Sequence, residues 1–314
     1  MIGPPCAGKT MTTSKDLSEQ TDHPNASSIA IAWVVTLLVS SLGDIACFKL
    51  TGVVPLWLLW AKIGLLSALI LLSWFWKPIM ALRPFFIMLL AITSLMRANT
   101  WLLGSSAWIA WQNQQPFTVV AATAQSFEIG IALLLIGMLF MLRKHRRRFF
   151  LVRGDMKAKF EPLKWLGQKS PGPLWRFGLV FTLVVIVVQF FMFILPLSPT
   201  SDKLRHLMPL IPMILLLAVA NGFAEEIILR AAPISTVYEV VGKSNAIWMA
   251  AILFGLSHYI GGIPSGVPGA LITTFLGWFF GKCMLDSRGF FWPWLFHTLQ
   301  DILPFALMTL AAIS

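Results

Sequence analysis

This chain of 314 residues is poor in charge and rich in apolar side chains, with 12% charged and 57% hydrophobic residues. A soluble globular protein has about a quarter of its residues charged, so a cytosolic enzyme and a secreted disulfide scaffold are excluded. A transmembrane helix needs about 20 apolar residues, and the length therefore predicts an integral membrane protein of about eight or nine helices with short loops.

Residues 1–28, before the first membrane helix, are polar, and this composition predicts an N-terminal tail outside the membrane helices. Within it, the stretch from Gly3 to Thr10 matches the phosphate-loop pattern G-x-x-x-x-G-K-[ST]. Such a loop holds a phosphate only between a strand and a helix N-terminus. Here only Met1 and Ile2 precede the motif and two prolines occupy its turn, so we expect no nucleotide at this segment.

Hydropathy and helix breakers predict nine apolar spans in an all-α fold, a polytopic transmembrane helical bundle. The spans cover residues 29–48, 53–76, 85–103, 117–142, 177–195, 207–229, 245–259, 267–283 and 290–313. The predicted organisation is a tail (1–28), a four-helix membrane region (29–142), a basic loop (143–176) and a C-terminal membrane domain (177–314).

Basic residues concentrate in the loop after the fourth span. Eleven Lys or Arg lie between Arg143 and Arg176, directly after an apolar segment, which indicates a solvated cytoplasmic loop against anionic lipid rather than a nucleic-acid surface. With this loop inside, 17 Lys or Arg of the loops lie inside and three outside. The positive-inside rule therefore predicts a cytoplasmic N-terminus.

Ionisable side chains inside apolar spans are expensive and call for an explanation. The first four spans carry two acids and two bases on different helices, which favours structural polar contacts between helices. These residues are Asp44, Lys62, Arg97 and Glu128. The later spans carry acids and imidazoles without matching bases, apart from Arg230 at a predicted helix end, so mutual neutralisation cannot explain them. These residues are Glu225, Glu226, His258, His297 and Asp301.

Helix spacing assigns these later residues to faces. Glu226 and Arg230 are four apart and are predicted to pair. Glu225 is turned about 100° away from Glu226. His297 and Asp301 share one face of the last span. Three helices thus offer groups for a common site inside a bundle.

Two carboxylates and two imidazoles supply what peptide hydrolysis needs, namely a base for water, a group that orients the water and a donor for the oxyanion. Zinc stays open as an alternative, with Glu225, His258 and His297 as ligands and a water at the fourth position. Both mechanisms activate water. A proton-coupled transporter, in which the same groups form a relay, and a catalytically silent scaffold are the other hypotheses.

Three ordered motifs resemble those of the CPBP family of intramembrane proteases, which includes CAAX prenyl endopeptidases and bacteriocin-processing and abortive-infection proteins. The family patterns are E-E-x-x-x-R, F-x-x-x-H and H-x-x-x-[N/D]. The chain has Glu225-Glu226-Ile227-Ile228-Leu229-Arg230, Phe254-Gly255-Leu256-Ser257-His258 and His297-Thr298-Leu299-Gln300-Asp301. The family includes bacterial members, and we expect the inner membrane of a bacterium and a membrane-associated protein or peptide as substrate.

The resemblance implies an intramembrane endopeptidase whose site opens toward the cytoplasm, and it implies a role for each residue. Glu225 would be the general base, His258 would hold the attacking water, and His297 would stabilise the oxyanion. Glu226 and Arg230 would be a structural pair. Asp301 would orient His297 and stabilise its protonated form.

One expectation about depth conflicts with a shared site. Glu225 lies about one turn before the predicted cytoplasmic end of its span, whereas His258 lies about 20 Å beyond the start of its own span at 1.5 Å per residue. The two residues meet only if the helix that starts near Asn245 begins outside the bilayer.

Overall fold

The computed structural model describes residues 25–143, 145–163, 169–263 and 265–312. The chain is 82% helical with almost no strand, so the predicted all-α bundle is confirmed. Among the described residues, seven helices are long and apolar enough to cross a membrane, and a shorter apolar helix accompanies them. The segment from Gly3 to Thr10 lies outside the described residues.

The N-terminal half contains seven helices. They are α1 (Ala26–Val39), α2 (Leu42–Thr51), α3 (Leu56–Leu72), α4 (Lys77–Met80), α5 (Arg83–Leu103), α6 (Ser106–Gln112) and α7 (Phe117–Leu142). The first begins at Ala26 because the side chain of Asn25 accepts a hydrogen bond from the Ser27 amide at 3.1 Å and so caps the helix. The last follows Pro116 and has the predicted bounds.

The C-terminal half contains eight α-helices and three irregular helical segments. They are α8 (Leu174–Gln189), a π-helical segment (Phe190–Ile194), α9 (Leu195–Leu197), α10 (Ser201–Leu207), a 3-10 turn (Met208–Leu210), α11 (Ile211–Glu226), a second π-helical segment (Ile227–Ala231), α12 (Ala232–Val241), α13 (Lys243–Gly261), α14 (Gly266–Ser287) and α15 (Phe291–Ala312).

The span predicted to end at Leu229 continues as a helix to Val241, so this predicted end is wrong. The polar residues that follow Leu229 in this helix include Arg230, Ser235 and Thr236, and these three are fully buried. Thr236 donates to the Ala232 carbonyl at 2.9 Å, and a side chain bonded to its own helix inside a protein does not need water. The helix therefore continues through a segment of low hydropathy, because the polar side chains of that segment are buried inside the protein.

Gly242 joins α12 and α13 in a single residue. Its φ of 81° lies in the region that favours glycine, and α13 begins at the next residue. Glu225 precedes Gly242 and His258 follows it by nearly equal lengths of chain. At about 1.5 Å per residue, both lie about 25 Å from the turn, so the conflict in depth disappears.

Residues 145–163 pack against the C-terminal half, which a freely solvated loop would not do. Phe149 and Phe160 are buried, and the Asp155 amide donates to the Ser287 carbonyl at 2.8 Å. Two short antiparallel strands, β1 (Lys159–Phe160) and β2 (Gly172–Pro173), join this segment to the start of α8. The arginines of the 3-10 turn Arg146–Phe149 remain exposed. Aromatic side chains, rather than the basic ones, therefore dock this part of the loop.

Candidate active site

All five predicted site residues lie on three helices of the C-terminal half. Glu225 and Glu226 end α11, His258 lies in the last turn of α13, and His297 and Asp301 lie one turn apart on α15. The π-helical segment begins directly after Glu226. Such segments are rare and are frequent at functional sites.

His297 is the centre of the buried part of this site. Its Nδ1 lies 2.8 Å from Oε1 of Glu226. Its Nε2 lies 3.4 Å from Oε2 of Glu225 and 3.6 Å from Oδ1 of Asp301. The Glu226 contact is a clear hydrogen bond and the Asp301 contact is too long for one, so Glu226 is the carboxylate that holds the ring. Asp301 instead accepts a hydrogen bond from Asn221 at 2.9 Å.

Glu226 also faces Arg230, with Oε1 3.5 Å from Nη1, and both side chains are fully buried. The Arg230 guanidinium lies 3.8 Å from the ring centroid of Phe254 and 5.3 Å from that of Phe280. Its three nitrogens have no hydrogen-bond partner among the described residues. Ring faces and the nearby carboxylate therefore stabilise this cation.

Glu225 and His258 line one cavity of about 450 Å³. The Glu225 side chain is 20% exposed, against 5% for His297. Nδ1 of His258 lies 3.1 Å from the Phe254 carbonyl oxygen, and the neutral tautomer that donates to this carbonyl has Nε2 as its acceptor. The site thus has an accessible part, Glu225 and His258, and a buried part behind Glu225.

Gly262 leaves room for the His258 ring. A Cβ added at Gly262 would lie 2.5 Å from Cδ2 of His258, whereas one at the neighbouring Gly261 would meet nothing within 4 Å. This role of Gly262 has no signal in the sequence, because the close approach of a backbone to a ring depends on the fold and not on residue spacing.

The N-terminal half forms the opposite walls of the cavity. Its four ionisable residues of the apolar spans all line it, together with apolar side chains of α3 and α5. Lys62 and Asp44 form an ion pair at 2.7 Å, which agrees with the predicted structural role. Arg97 forms no ion pair or hydrogen bond with any described residue. The described residues therefore offer Arg97 no ion-pair partner of the kind that the predicted structural role requires.

The three ligands of the zinc hypothesis do not form a ligand set. Among the described residues, no group of three or more His, Cys, Asp or Glu side chains is arranged to hold a metal ion. Nδ1 of His297 contacts Glu226 and Nδ1 of His258 contacts the Phe254 carbonyl, so Nε2 is the nitrogen of each ring that remains for other partners. Zinc binding by these residues stays a prediction.

The profile of the family described as Type II CAAX prenyl endopeptidase Rce1-like matches residues 207–303. This range contains all five predicted site residues, so the predicted resemblance to the CPBP intramembrane proteases is confirmed for this part of the chain. No curated protein and no solved structure matches the chain. The chain is an integral membrane protein that resembles CAAX-type proteases at the level of the family, and the helices α1 to α7 lie outside the matched range.

Proposed function

We propose that the protein is an intramembrane endopeptidase that cleaves a membrane-associated protein or peptide with water activated by Glu225 and His258. One observation carries this proposal. These two side chains come from different helices, lie at nearly equal distances from the Gly242 turn and line the same cavity. A water molecule between them would contact a carboxylate base and an imidazole acceptor.

The reaction follows from these groups. Glu225 takes a proton from the water that His258 orients, and the oxygen attacks the carbonyl carbon of the scissile bond. The resulting oxyanion collapses, the C–N bond breaks, and the proton on Glu225 passes to the leaving nitrogen. The products are a carboxylic acid and an amine, and Glu225 returns to its ionised form.

The buried residues would position this pair. His297 contacts Glu225 through Nε2 at 3.4 Å and Glu226 through Nδ1 at 2.8 Å. We propose that protonated His297 fixes the Glu225 carboxylate and places positive charge beside the developing oxyanion. Arg230 would hold Glu226 in turn. Asp301 would add negative charge near Nε2 of His297, on the side of the ring opposite to Glu226.

Cleavage of a membrane-associated peptide by the purified chain in lipid tests the proposal. Glu225→Gln and His258→Ala should each lower the rate by about 100-fold or more. Glu128→Gln is the matched control, since Glu128 lines the same cavity outside the three motifs, and it should change the rate by less than about 10-fold.

Wild-type cleavage rates in both Glu225→Gln and His258→Ala would overturn the proposal. A transporter would instead lose proton-coupled uptake in Glu225→Gln without any cleavage by wild type. A scaffold would keep its cellular function in that variant. Comparison of membrane proteomes from cells with wild type and Glu225→Gln would identify the natural substrate.

We also propose that the Gly242 turn and the basic segment face the cytoplasm, in a bacterial inner membrane. Reporter fusions after Leu142 and after Asp286 should report the cytoplasm, and a fusion at Ser314 the opposite side. The exposed arginines of residues 146–148 would contact anionic lipid. Anionic vesicles should therefore bind the protein more tightly than neutral ones at low salt.

A further inference from the structure

Arg97 is a cation inside an apolar helix without a partner in the described part of the chain. It lies on α5, nearer to the end of that helix than to its start, and lines the cavity that contains Glu225 and His258. The other cation of the cavity, Lys62, is neutralised by Asp44 at 2.7 Å and donates to the Ser40 carbonyl at 2.8 Å. Arg97 alone therefore keeps its donors available to a ligand in this cavity.

The cavity places Arg97 close to the depth of the proposed reaction. Arg143 and Glu239 form an ion pair at 2.7 Å, which brings one end of α7 level with one end of α12. The length of chain from Glu128 to Arg143 nearly equals that from Glu225 to Glu239. Glu128 and Glu225, which line the cavity together with Arg97, thus lie at similar distances of about 21 Å from this ion pair along their helices.

A guanidinium offers five donors in a planar fork that matches a carboxylate. Carboxylates are also the anions that any peptide carries, at its C-terminus or on Asp and Glu side chains. The volume of about 450 Å³ lies in the range that encloses a small ligand, about 300 to 1,000 Å³. Apolar neighbours of Arg97 in the wall, Ile92 and Met96, suit the side chains of a short apolar segment.

We propose that Arg97 binds a carboxylate of the peptide substrate and so sets which bond lies against Glu225 and His258. This proposal rests on the proposed protease function and adds a specificity-determining residue from the half of the chain outside the family match. A bound anion also neutralises a half-buried cation inside an apolar helix, which raises the affinity for that anion.

The test uses N-palmitoylated peptide libraries with randomised apolar C-terminal residues, incubated with the full chain in lipid nanodiscs. One library has a free C-terminal carboxylate and the second has a C-terminal amide. A third library also has a C-terminal amide but carries a Glu residue near its C-terminus. Its control library has Gln at the position of that Glu. Wild type should favour a carboxylate by about 10- to 100-fold in kcat/KM, the usual effect of a hydrogen bond to a charged group.

Arg97→Gln should abolish this preference mainly through KM, and Arg97→Lys should keep part of it. The double variant Asp44→Asn with Lys62→Met removes a cavity cation together with its partner and should keep the preference. Glu128→Gln should keep or increase it, because a competing carboxylate is lost. A preference for the library with a free C-terminus would identify the terminal carboxylate as the ligand of Arg97. A preference for the Glu library would identify a side-chain carboxylate.

Binding to Glu225→Gln separates this proposal from the protease function. If wild type cleaves nothing but Glu225→Gln still binds carboxylate libraries in an Arg97-dependent way, the anion site stands and the protease function fails. If wild type cleaves acid and amide libraries equally, or if Arg97→Gln keeps the preference at wild-type stability, the anion site is wrong. Equal binding of all libraries also overturns it.

Discussion

The two halves of the bundle both hold ionisable side chains inside apolar helices, but they neutralise them in different ways. In the C-terminal half, Glu226 contacts both Arg230 and His297, and all three side chains are buried. In the N-terminal half, Lys62 pairs with Asp44 at the cavity wall, where the Asp44 side chain is 24% exposed. The buried charges of the C-terminal half thus contact one another behind Glu225. The charges of the N-terminal half instead line the cavity, where they can contact a ligand.

The largest effect should follow from breaking the buried network. Arg230→Met removes the permanent cation beside the buried Glu226 and leaves His297 as the remaining partner of that carboxylate, which costs about 3 to 5 kcal/mol in the free energy of unfolding. The double variant Glu226→Gln with Arg230→Met removes both charges and should recover a large part of this loss. Unfolding in mild detergent, followed by circular dichroism, measures both. A wild-type midpoint for Arg230→Met would mean that the network does not stabilise the C-terminal half.

A smaller effect should separate catalysis from stability. Gly262→Ala places a Cβ 2.5 Å from the His258 ring, so the ring must move, and the cleavage rate should fall about 10-fold or more. Gly261→Ala is its matched control because a Cβ there meets nothing within 4 Å. Both variants should unfold near the wild-type midpoint. Equal cleavage rates for the two variants would show that the position of His258 does not limit the reaction.

The smallest effect should come from the N-terminal pair. Lys62→Met leaves Asp44 without its cation, but the partly exposed carboxylate can be solvated through the cavity. We expect a loss of about 1 kcal/mol in the free energy of unfolding, measured under the same conditions as Arg230→Met. A loss as large as that of Arg230→Met would contradict the contrast between the halves and make the N-terminal pair an equal part of the core.

Local pattern sufficed for a large part of the fold and for selecting side chains that the structure brings together around His297 and in one cavity. The span that became α7 was predicted to the residue, because Pro116 and the basic run beginning at Arg143 flank a continuous apolar stretch. The Glu226–Arg230 contact follows from their spacing of four along the helix. Both features depend on neighbours in sequence.

Features that depend on distant contacts were missed. The helix beyond Leu229 is packed by other helices, so its polar residues are buried where hydropathy indicated an end. Phe149 and Phe160 dock a segment whose composition is dominated by exposed basic residues. The position of Arg97 in the same cavity as Glu225 results from the packing of helices that are far apart in the chain, and the spacing within each span does not reveal it.

The single-residue turn at Gly242 restricts how the length of this region can vary. An inserted residue between Glu225 and Gly242 would shift one arm by about 1.5 Å and rotate it by about 100°, and Glu225 would no longer line the cavity beside His258. Insertions and deletions should therefore be rejected in residues 225–258, and this stretch is an unsuitable place for tags and fused domains.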